Sequence, residues 1–262
     1  MFKAWKKEDP PPKRVKPVPV QVIRRIAFIA QHSNCEHQKA IADMIILAFF
    51  FLLRPGEYTD TSTRTRNPDK APFRLGDVQL FVGNTRLDIL RAPAAVLLTA
   101  TFASLTFDDQ KNSVRGEVIG LATSGDPYLC PVKSLVRRIL HIRPNVTHHD
   151  VPLARVWLRT STTSVRPKDI TATLRQAVTF LGPELGFLSS DVSARCLRAS
   201  GANALLNSNV DTDIISLIGR WRSDEMLRYL HVQNRELMKD YSRLMLSGGA
   251  YTLIPNQQVP MH

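Results

Sequence analysis

The sequence predicts an α+β fold that is mostly helical and contains one small antiparallel sheet. Before residue 54 and after Pro131, apolar residues recur at spacings of three and four, which is typical of helices packed on a core. Between Asp77 and Leu121 the pattern changes to short β-rich runs separated by turn residues. Hydrophobic residues make up 44% of the 262 residues and charged residues 22%, so we expect a packed globular core.

The chain divides into three parts. Residues 1–20 are rich in proline and positive charge and have no apolar periodicity, which predicts an extended basic linker. The folded domain is expected over residues 21–246, and residues 247–262 form a short mixed tail. The first two helices of the domain are predicted at Val22–Ala30 and Glu36–Leu53, and the second ends where Pro55 restricts the backbone of Arg54.

The central sheet and the later helices follow in order. Gly83-Asn84 and Lys111-Asn112 predict turns, the second of them at a hairpin tip. The predicted strands are Val78–Val82, Arg86–Leu90, Ala95–Thr99, Ser104–Phe107 and Val114–Gly120. The predicted helices after Pro131 are Val132–Ile142, Lys168–Leu181, Val192–Leu206, Thr212–Ile218 and Asp224 to about Leu246.

Charge and cysteine content narrow the class of protein. Lys and Arg number 35 against 23 Asp and Glu, which gives a net charge of +12 and predicts a polyanionic partner such as nucleic acid. The three cysteines are widely spaced, so they predict neither a disulfide framework nor a four-cysteine metal site, and a reducing intracellular compartment is expected. The apolar run Ile41–Leu53 is shorter than the ~20 residues that a bilayer span needs, so no membrane association is expected.

Polar residues in unusual surroundings mark four places in the chain. The segment Arg54–Glu57 (Arg-Pro-Gly-Glu) ends a very apolar helix, Lys111 lies at the predicted hairpin tip, and Arg195–Arg198 (Arg-Cys-Leu-Arg) lies in a helix of small and apolar residues. The fourth place is Arg220–Tyr229, where a tyrosine follows several arginines. A phenol needs cationic neighbours to act as a nucleophile at neutral pH, so this setting suggests a tyrosine that handles phosphate. Taken singly, each place also fits an ordinary ion pair, turn or solvated face.

Together and in this order, the four places resemble the catalytic domain of the tyrosine recombinase (phage integrase) family. The segment Leu52–Glu57 is similar to the first box of that family, Arg195–Ala202 to the second, and Ile218–Tyr229 to the last. The resemblance covers residues 20–246. The Gly-Arg-Trp-Arg-Ser-Asp run and Cys130–Val132 look like the eukaryotic mobile-element branch, which includes retrotransposon and Crypton-type recombinases.

The resemblance implies a DNA breaking-rejoining domain and assigns a role to each matching residue. Tyr229 would attack a scissile phosphate and form a 3′-phosphotyrosyl bond, while the 5′-hydroxyl leaves. Arg54 and Arg198 would bind the non-bridging oxygens, because guanidinium groups match the charge that the transition state gathers. Lys111 would protonate the leaving oxygen as general acid. Glu57 would orient Arg54.

The resemblance also implies the partners. Double-stranded DNA is the expected substrate, with neither a metal nor another cofactor. Tetramers on DNA are expected, with Asn234–Leu246 as the candidate element exchanged between subunits. In a eukaryote the expected location is the nucleus.

Two positions depart from the family pattern. The family usually has histidine where this chain has Arg195, and histidine or tryptophan where it has Arg220. Arginine cannot accept the tyrosine proton at any relevant pH, so that proton would pass to water, to the substrate phosphate or to His231. Trp221 would supply packing and an indole donor. Two alternatives stay open: a DNA-binding remnant of a mobile-element recombinase with impaired catalysis, and a basic helical protein that does not act on DNA.

Overall fold

The computed structural model describes residues 16–60, 72–107, 116–221 and 240–250. The helices within these ranges are α1 (Val20–Gln31), α2 (Glu36–Phe50), the one-turn α3 (Pro55–Tyr58), α4 (Ala94–Leu98), α5 (Pro131–Ile142), α6 (Pro167–Leu185), α7 (Cys196–Asn207), α8 (Thr212–Gly219) and α9 (Tyr241–Gly248). The strands are β1 (Val78–Val82), β2 (Thr85–Arg86), β3 (Phe102–Phe107), β4 (Glu117–Ala122), β5 (Arg155–Trp157) and β6 (Thr162–Ser164). The α+β class with a small antiparallel sheet is therefore confirmed.

Helix α2 is the centre of the core. Every residue of the segment 40–53 is buried, because α2 is apolar on all sides and is surrounded by α1, α5, α6 and α7. The helix ends at Phe50, and Leu52 then takes a left-handed backbone conformation with φ of 51°. This turn directs the chain into α3, where Pro55 is the first helical residue.

The main sheet has the strand order β2-β1-β3-β4, and all its neighbours are antiparallel. The β1–β2 hairpin turns at Gly83, whose φ of 55° suits a residue without a side chain. Helices α5 and α9 pack against this sheet. Strands β5 and β6 form a separate hairpin, which Arg138 of α5 holds by donating to the carbonyl oxygens of Leu153 and Arg155.

The two ends of the described fold meet beside α7. The Val20 amide donates to the Gly249 carbonyl over 2.7 Å, and the Val18 amide donates to Ser200 Oγ over 2.7 Å. Val18 and Val20 are buried, so the core begins inside the segment predicted as linker. Gly248 packs against Ser208 and Ala204, so the packed region also extends past residue 246, where the domain was expected to end.

The structure corrects several predicted elements. Ala95–Thr99 was expected as a strand, but Pro93 precedes a helical turn there, and alanine and leucine favour helix. Strand β2 is Thr85–Arg86 and shares only Arg86 with the predicted strand Arg86–Leu90, and the β5–β6 hairpin was not predicted. Helix α7 begins at Cys196 rather than at Val192.

Other predictions concern residues outside the described ranges. The Lys111-Asn112 turn lies there, as does most of the helix expected from Asp224. Only its last part, Tyr241–Gly248, is observed as helix. No helix in the described ranges has the length and apolar character needed to cross a membrane.

Candidate functional site: a cluster of three arginines

The site starts at the turn between α2 and α3. Arg54 has an extended backbone just before α3, and its amide donates to Glu57 Oε2 over 2.7 Å. The Arg54 Nη1 atom lies 3.4 Å from Glu57 Oε1. Glu57 therefore accepts hydrogen bonds from both the backbone and the side chain of Arg54.

Arg220 enters the site from the end of α8. Its left-handed backbone, with φ of 55°, ends the helix and directs the side chain inward, where it is only 1% exposed. Its Nη2 atom donates to Glu57 Oε2 over 2.9 Å and to the Leu52 carbonyl over 3.3 Å. Its Nη1 atom donates to the carbonyls of Phe51 and Ile218 over 3.2 and 3.1 Å.

Arg198 lies in the first turn of α7 and is the least satisfied arginine of the cluster. Its Nη2 atom donates to the Gly219 carbonyl, and its guanidinium lies 4.5 Å from the centre of the Trp221 ring. Its Nη1 atom is buried and has no hydrogen-bond partner among the described residues. Arg220 Nε is likewise buried without a partner, but in a side chain that is 1% exposed. Because buried donors are usually paired and Arg198 is only half-buried, its unpaired Nη1 indicates a place for an acceptor that is not part of this chain.

Burial and mutual repulsion act on these guanidinium groups. Burial, followed by the nearby charges of Arg220 and Arg54, lowers the pKa of Arg198 to about 10, and Glu57 partly offsets this. Burial also lowers the pKa of Arg220, again against the opposing effect of Glu57. The guanidinium groups of Arg54, Arg198 and Arg220 thus place three positive charges around the one carboxylate of Glu57. An anion bound at Arg198 would relieve this imbalance.

Trp221 and Gly219 shape the side of the site next to Arg198. A Cβ atom on Gly219 would lie 1.9 Å from Trp221 Cζ3, so the indole ring occupies the space that any other residue would fill. The ring is 37% exposed. Trp221 thus packs against Arg198 on one side and keeps part of its surface open to solvent.

The structure brings together five of the residues predicted for the site: Arg54, Glu57, Arg198, Arg220 and Trp221. Arg195 does not join them, because it is exposed at the start of α7 and its guanidinium forms no hydrogen bond or ion pair with a described residue.

Three other residues of the predicted site lie outside the described residues: Lys111, Tyr229 and His231. The position of the candidate nucleophile, the candidate acid and the candidate base relative to the arginines is therefore still a prediction.

Sequence reasoning missed two contributions to the site. The Phe51 and Leu52 carbonyls accept from Arg220, and the Phe107 ring lies 3.8 Å from the Arg220 guanidinium. The carbonyls carry no sequence signal. Phe107 does, since an aromatic residue ends a predicted strand four positions before Lys111, but its contact with Arg220 depends on the tertiary fold.

A second polar cluster lies further along α2. The buried Asp43 accepts from Arg137 Nε over 2.8 Å and from Arg137 Nη2 over 2.5 Å, and a cavity of about 300 Å³ opens beside this pair. Because its charges pair with one another, this cluster lacks the unpaired donor that distinguishes the arginine site. Among the residues described, no three His, Cys, Asp or Glu side chains gather in a way that would hold a metal ion.

Comparison with models of protein families, with curated proteins and with solved structures found no match to this chain. The candidate site is therefore interpreted from its own geometry and from the sequence motifs.

Proposed function

We propose that this protein is a DNA strand transferase that acts in site-specific recombination or integration by metal-independent transesterification. The observation that carries the proposal is the convergence of Arg54 and Arg198, which are far apart in sequence, around a buried donor with no partner. Guanidinium groups bind phosphate oxygens in this way, and a cluster with excess positive charge favours a phosphodiester over a neutral ligand.

In the proposed reaction, Tyr229 Oη gives its proton to water, to the substrate phosphate or to His231 as it forms a bond to phosphorus, and the bond from phosphorus to the 5′ oxygen breaks. Arg54 and Arg198 hold the non-bridging oxygens as negative charge develops on them. Lys111 gives a proton to the 5′ oxygen, so the leaving group departs as a hydroxyl. The phosphotyrosyl bond conserves the energy of the phosphodiester, and attack by another 5′-hydroxyl reverses the step and joins the strands.

A second function is favoured by the engagement of Arg220 and the position of Arg195. Arg195 is exposed outside the cluster, and Arg220 already donates to acceptors of the protein itself. A protein that binds DNA through Arg54 and Arg198 without cutting it would need neither of them. This second candidate is a DNA-binding remnant of a mobile-element recombinase.

A covalent trapping experiment separates the two functions. The protein is incubated with nicked duplexes from which the cut strand end diffuses away, and protein–DNA adducts are detected on denaturing gels. A strand transferase forms an adduct that is lost in Tyr229→Phe and is still formed by Tyr128→Phe, a change at a tyrosine beside Phe28 and His32. Retention of DNA on native gels without any adduct supports the binding function, and failure to bind DNA at all contradicts both.

The partners follow from the proposed chemistry. Double-stranded DNA is the substrate, and exchange of strands between two sites requires several subunits, so we propose a tetramer on DNA. In a eukaryotic host the reaction would take place in the nucleus. Sedimentation of the protein with and without a nicked duplex tests the assembly, since a monomer in both conditions would contradict it.

A further inference from the structure

We infer that Arg220 is a positioning residue, which fixes Glu57 and through it Arg54, and that it does not itself bind the phosphate. The inference rests on the proposed function for its catalytic meaning, whereas its structural part concerns this chain alone. It differs from the expectation raised by the family resemblance, which puts Arg220 among the catalytic residues.

The terminal nitrogens of Arg220 donate all their hydrogen bonds to acceptors of the protein itself. An arginine has five N–H donors, of which four lie on the two terminal nitrogens. Those two nitrogens donate to the carbonyls of Phe51, Leu52 and Ile218 and to Glu57 Oε2. The remaining donor, on Nε, has no hydrogen-bond partner among the described residues, but it lies in a side chain that is 1% exposed and beside the Phe107 ring, where an incoming anion has no access. No terminal N–H is left for a phosphate oxygen.

The Arg220 guanidinium lies at the carboxyl-terminal end of α2. The last carbonyls of a helix have no partner within that helix, and the helix dipole makes this end negative. Phe51 and Leu52 directly follow the end of α2 and are themselves buried. The Arg220 cation supplies the donors that solvent cannot, so it closes the end of the central helix of the core.

The two oxygens of the Glu57 carboxylate contact different donors of Arg54 and Arg220. Its Oε2 atom receives the Arg220 guanidinium and the Arg54 amide, which leaves Oε1 facing Arg54 Nη1 at 3.4 Å. Without Arg220, the carboxylate would be free to move toward Arg54 or Arg198. It would then compete with an incoming anion for the same guanidinium groups, and the site would lose affinity although both ligands remain.

A further contact extends the role of Arg220 to the sheet. The guanidinium lies 3.8 Å from the centre of the Phe107 ring, and Phe107 is the last residue of β3. Arg220 therefore contacts the end of α2, the carboxylate of α3 and the end of β3 at once. A contact of this kind between a cation and a ring holds the strand end to the arginine cluster.

The experiment is a mutant cycle in which Arg220→Met is made in the native chain and in the Glu57→Gln background. The probe is inorganic pyrophosphate, measured by calorimetry, with the exposed Arg243→Met as control. We expect Arg220→Met to weaken binding about tenfold when Glu57 is present and less than twofold in the Glu57→Gln background. An equal loss in both backgrounds would mean that Arg220 binds the anion directly, and would overturn the inference.

A second measurement needs no ligand. The Nε–H resonance of Arg54 is followed by ¹⁵N NMR, and we expect it to shift and broaden in Arg220→Met but to stay close to the native position in Arg220→Lys, which keeps a cation at Glu57. An unchanged Arg54 resonance in Arg220→Met overturns the inference whether or not pyrophosphate binds.

The two proposals fail in different ways. A chain that forms no DNA adduct and binds no DNA contradicts the proposed function, but the Arg54 resonance still reports on the role of Arg220. Conversely, the native chain could form the DNA adduct while Arg220→Met weakens pyrophosphate binding equally with and without Glu57. That result would support the proposed function and contradict the positioning role of Arg220.

Discussion

Three buried or half-buried arginines of this chain differ in what their guanidinium groups contact. Arg138 donates to two carbonyls of the β5–β6 region, and Arg220 donates to three carbonyls and a carboxylate. Both make several hydrogen bonds within the protein, although Arg220 Nε is buried without a partner among the described residues. Arg198 donates to one carbonyl and keeps Nη1 buried without a partner. The hydrogen bonds of the first two stabilise the fold, whereas the unpaired buried donor of Arg198 offsets part of what its hydrogen bond contributes.

This difference predicts that the same substitution has unequal effects on stability at Arg138 and Arg198. Arg138→Met should lower the free energy of unfolding by about 3 kcal/mol, because the Leu153 and Arg155 carbonyls lose buried donors. Arg198→Met should change it by less than about 1 kcal/mol, since removal of a poorly paired buried charge offsets the lost hydrogen bond. Urea unfolding measures both. A larger loss in Arg198→Met than in Arg138→Met would contradict the assignment of Arg198 as a ligand-binding residue.

The histidine next to Arg138 predicts a dependence on pH. His141 Nε2 accepts from the Trp157 amide over 3.0 Å, and Nδ1 lies 3.2 Å from Glu36 Oε2. Burial, followed by the charge of Arg138, lowers the pKa of His141 below its ordinary value, against the opposing effects of Glu36 and Asp43. The neutral ring is thus the form that the folded state favours.

Because the pKa of His141 is lower in the folded state than in the unfolded state, the unfolded state binds the additional proton first as the pH falls. The contribution of His141 to stability is therefore present above about pH 6.5 and is lost as the pH falls through the folded pKa. We expect the free energy of unfolding to decrease as the pH falls below about 6.5, and His141→Gln to flatten this decrease. The exposed His149→Gln serves as control, and an equal slope in the two variants would contradict the mechanism.

The residues of the site were predictable only in part. Arg54, Glu57, Arg198, Arg220 and Trp221 were identified because charges are unusual next to long apolar runs, and the structure brings these five together. Which of the arginines contacts acceptors of the protein and which keeps an unpaired donor was not predictable. It depends on the left-handed backbone of Arg220 and on the Phe51 and Leu52 carbonyls, and sequence patterns carry no information on either.

At the scale of elements, the contact between α2 and α7 positions Arg198 relative to Arg54. Gly201 allows this contact, because a Cβ atom there would lie 2.1 Å from the Phe49 carbonyl oxygen and 2.3 Å from Leu52 Cδ2. The neighbours are backbone and a fully buried side chain, which cannot move aside at low cost. The close packing of these two helices is therefore a condition for the site.

Gly201→Ala should consequently destabilise the protein and disturb the site. We expect a loss of about 2 to 3 kcal/mol in the free energy of unfolding, in the range of other overpacked cores. Gly56→Ala is the matched control, because nothing lies within 4 Å of its Cβ position. It should leave stability unchanged or raise it slightly, since alanine favours helix. Equal unfolding midpoints for the two variants would show that α2 and α7 are not closely packed.

The accuracy of the predicted elements depended on their length. Long periodic segments such as Val22–Ala30 and Val132–Ile142 appear as α1 and α5 with small changes at their ends. Short apolar runs were ambiguous, so Ala95–Thr99 was expected as a strand but is helical. The β5–β6 hairpin was missed because its strands have only three residues each, and a buried arginine from α5 holds the region around it in place.

At the scale of the whole molecule, the chain carries many positive charges besides those of the arginine cluster. The chain carries 35 Lys and Arg against 23 Asp and Glu, and some of these arginines already pair with carboxylates, as Arg24 does with Asp126. A protein that binds DNA mainly through phosphates releases counterions, so its affinity depends steeply on salt. The phosphate contacts of the arginine cluster and the overall positive charge should then contribute separately to the affinity for DNA.

The salt dependence of DNA affinity can separate the two contributions. Affinity for a duplex should fall about 10³-fold between 50 and 200 mM salt if roughly six phosphates are contacted. Arg54→Met should reduce the slope of log affinity against log salt by about one contact, because it removes one phosphate ligand. Arg243→Met, whose side chain is 67% exposed on α9 and pairs with Asp240, should leave the slope nearly unchanged. Fluorescence anisotropy measures all three. A flat salt response would contradict phosphate binding altogether, whereas equal slopes for both variants would place the DNA on another surface than the arginine cluster.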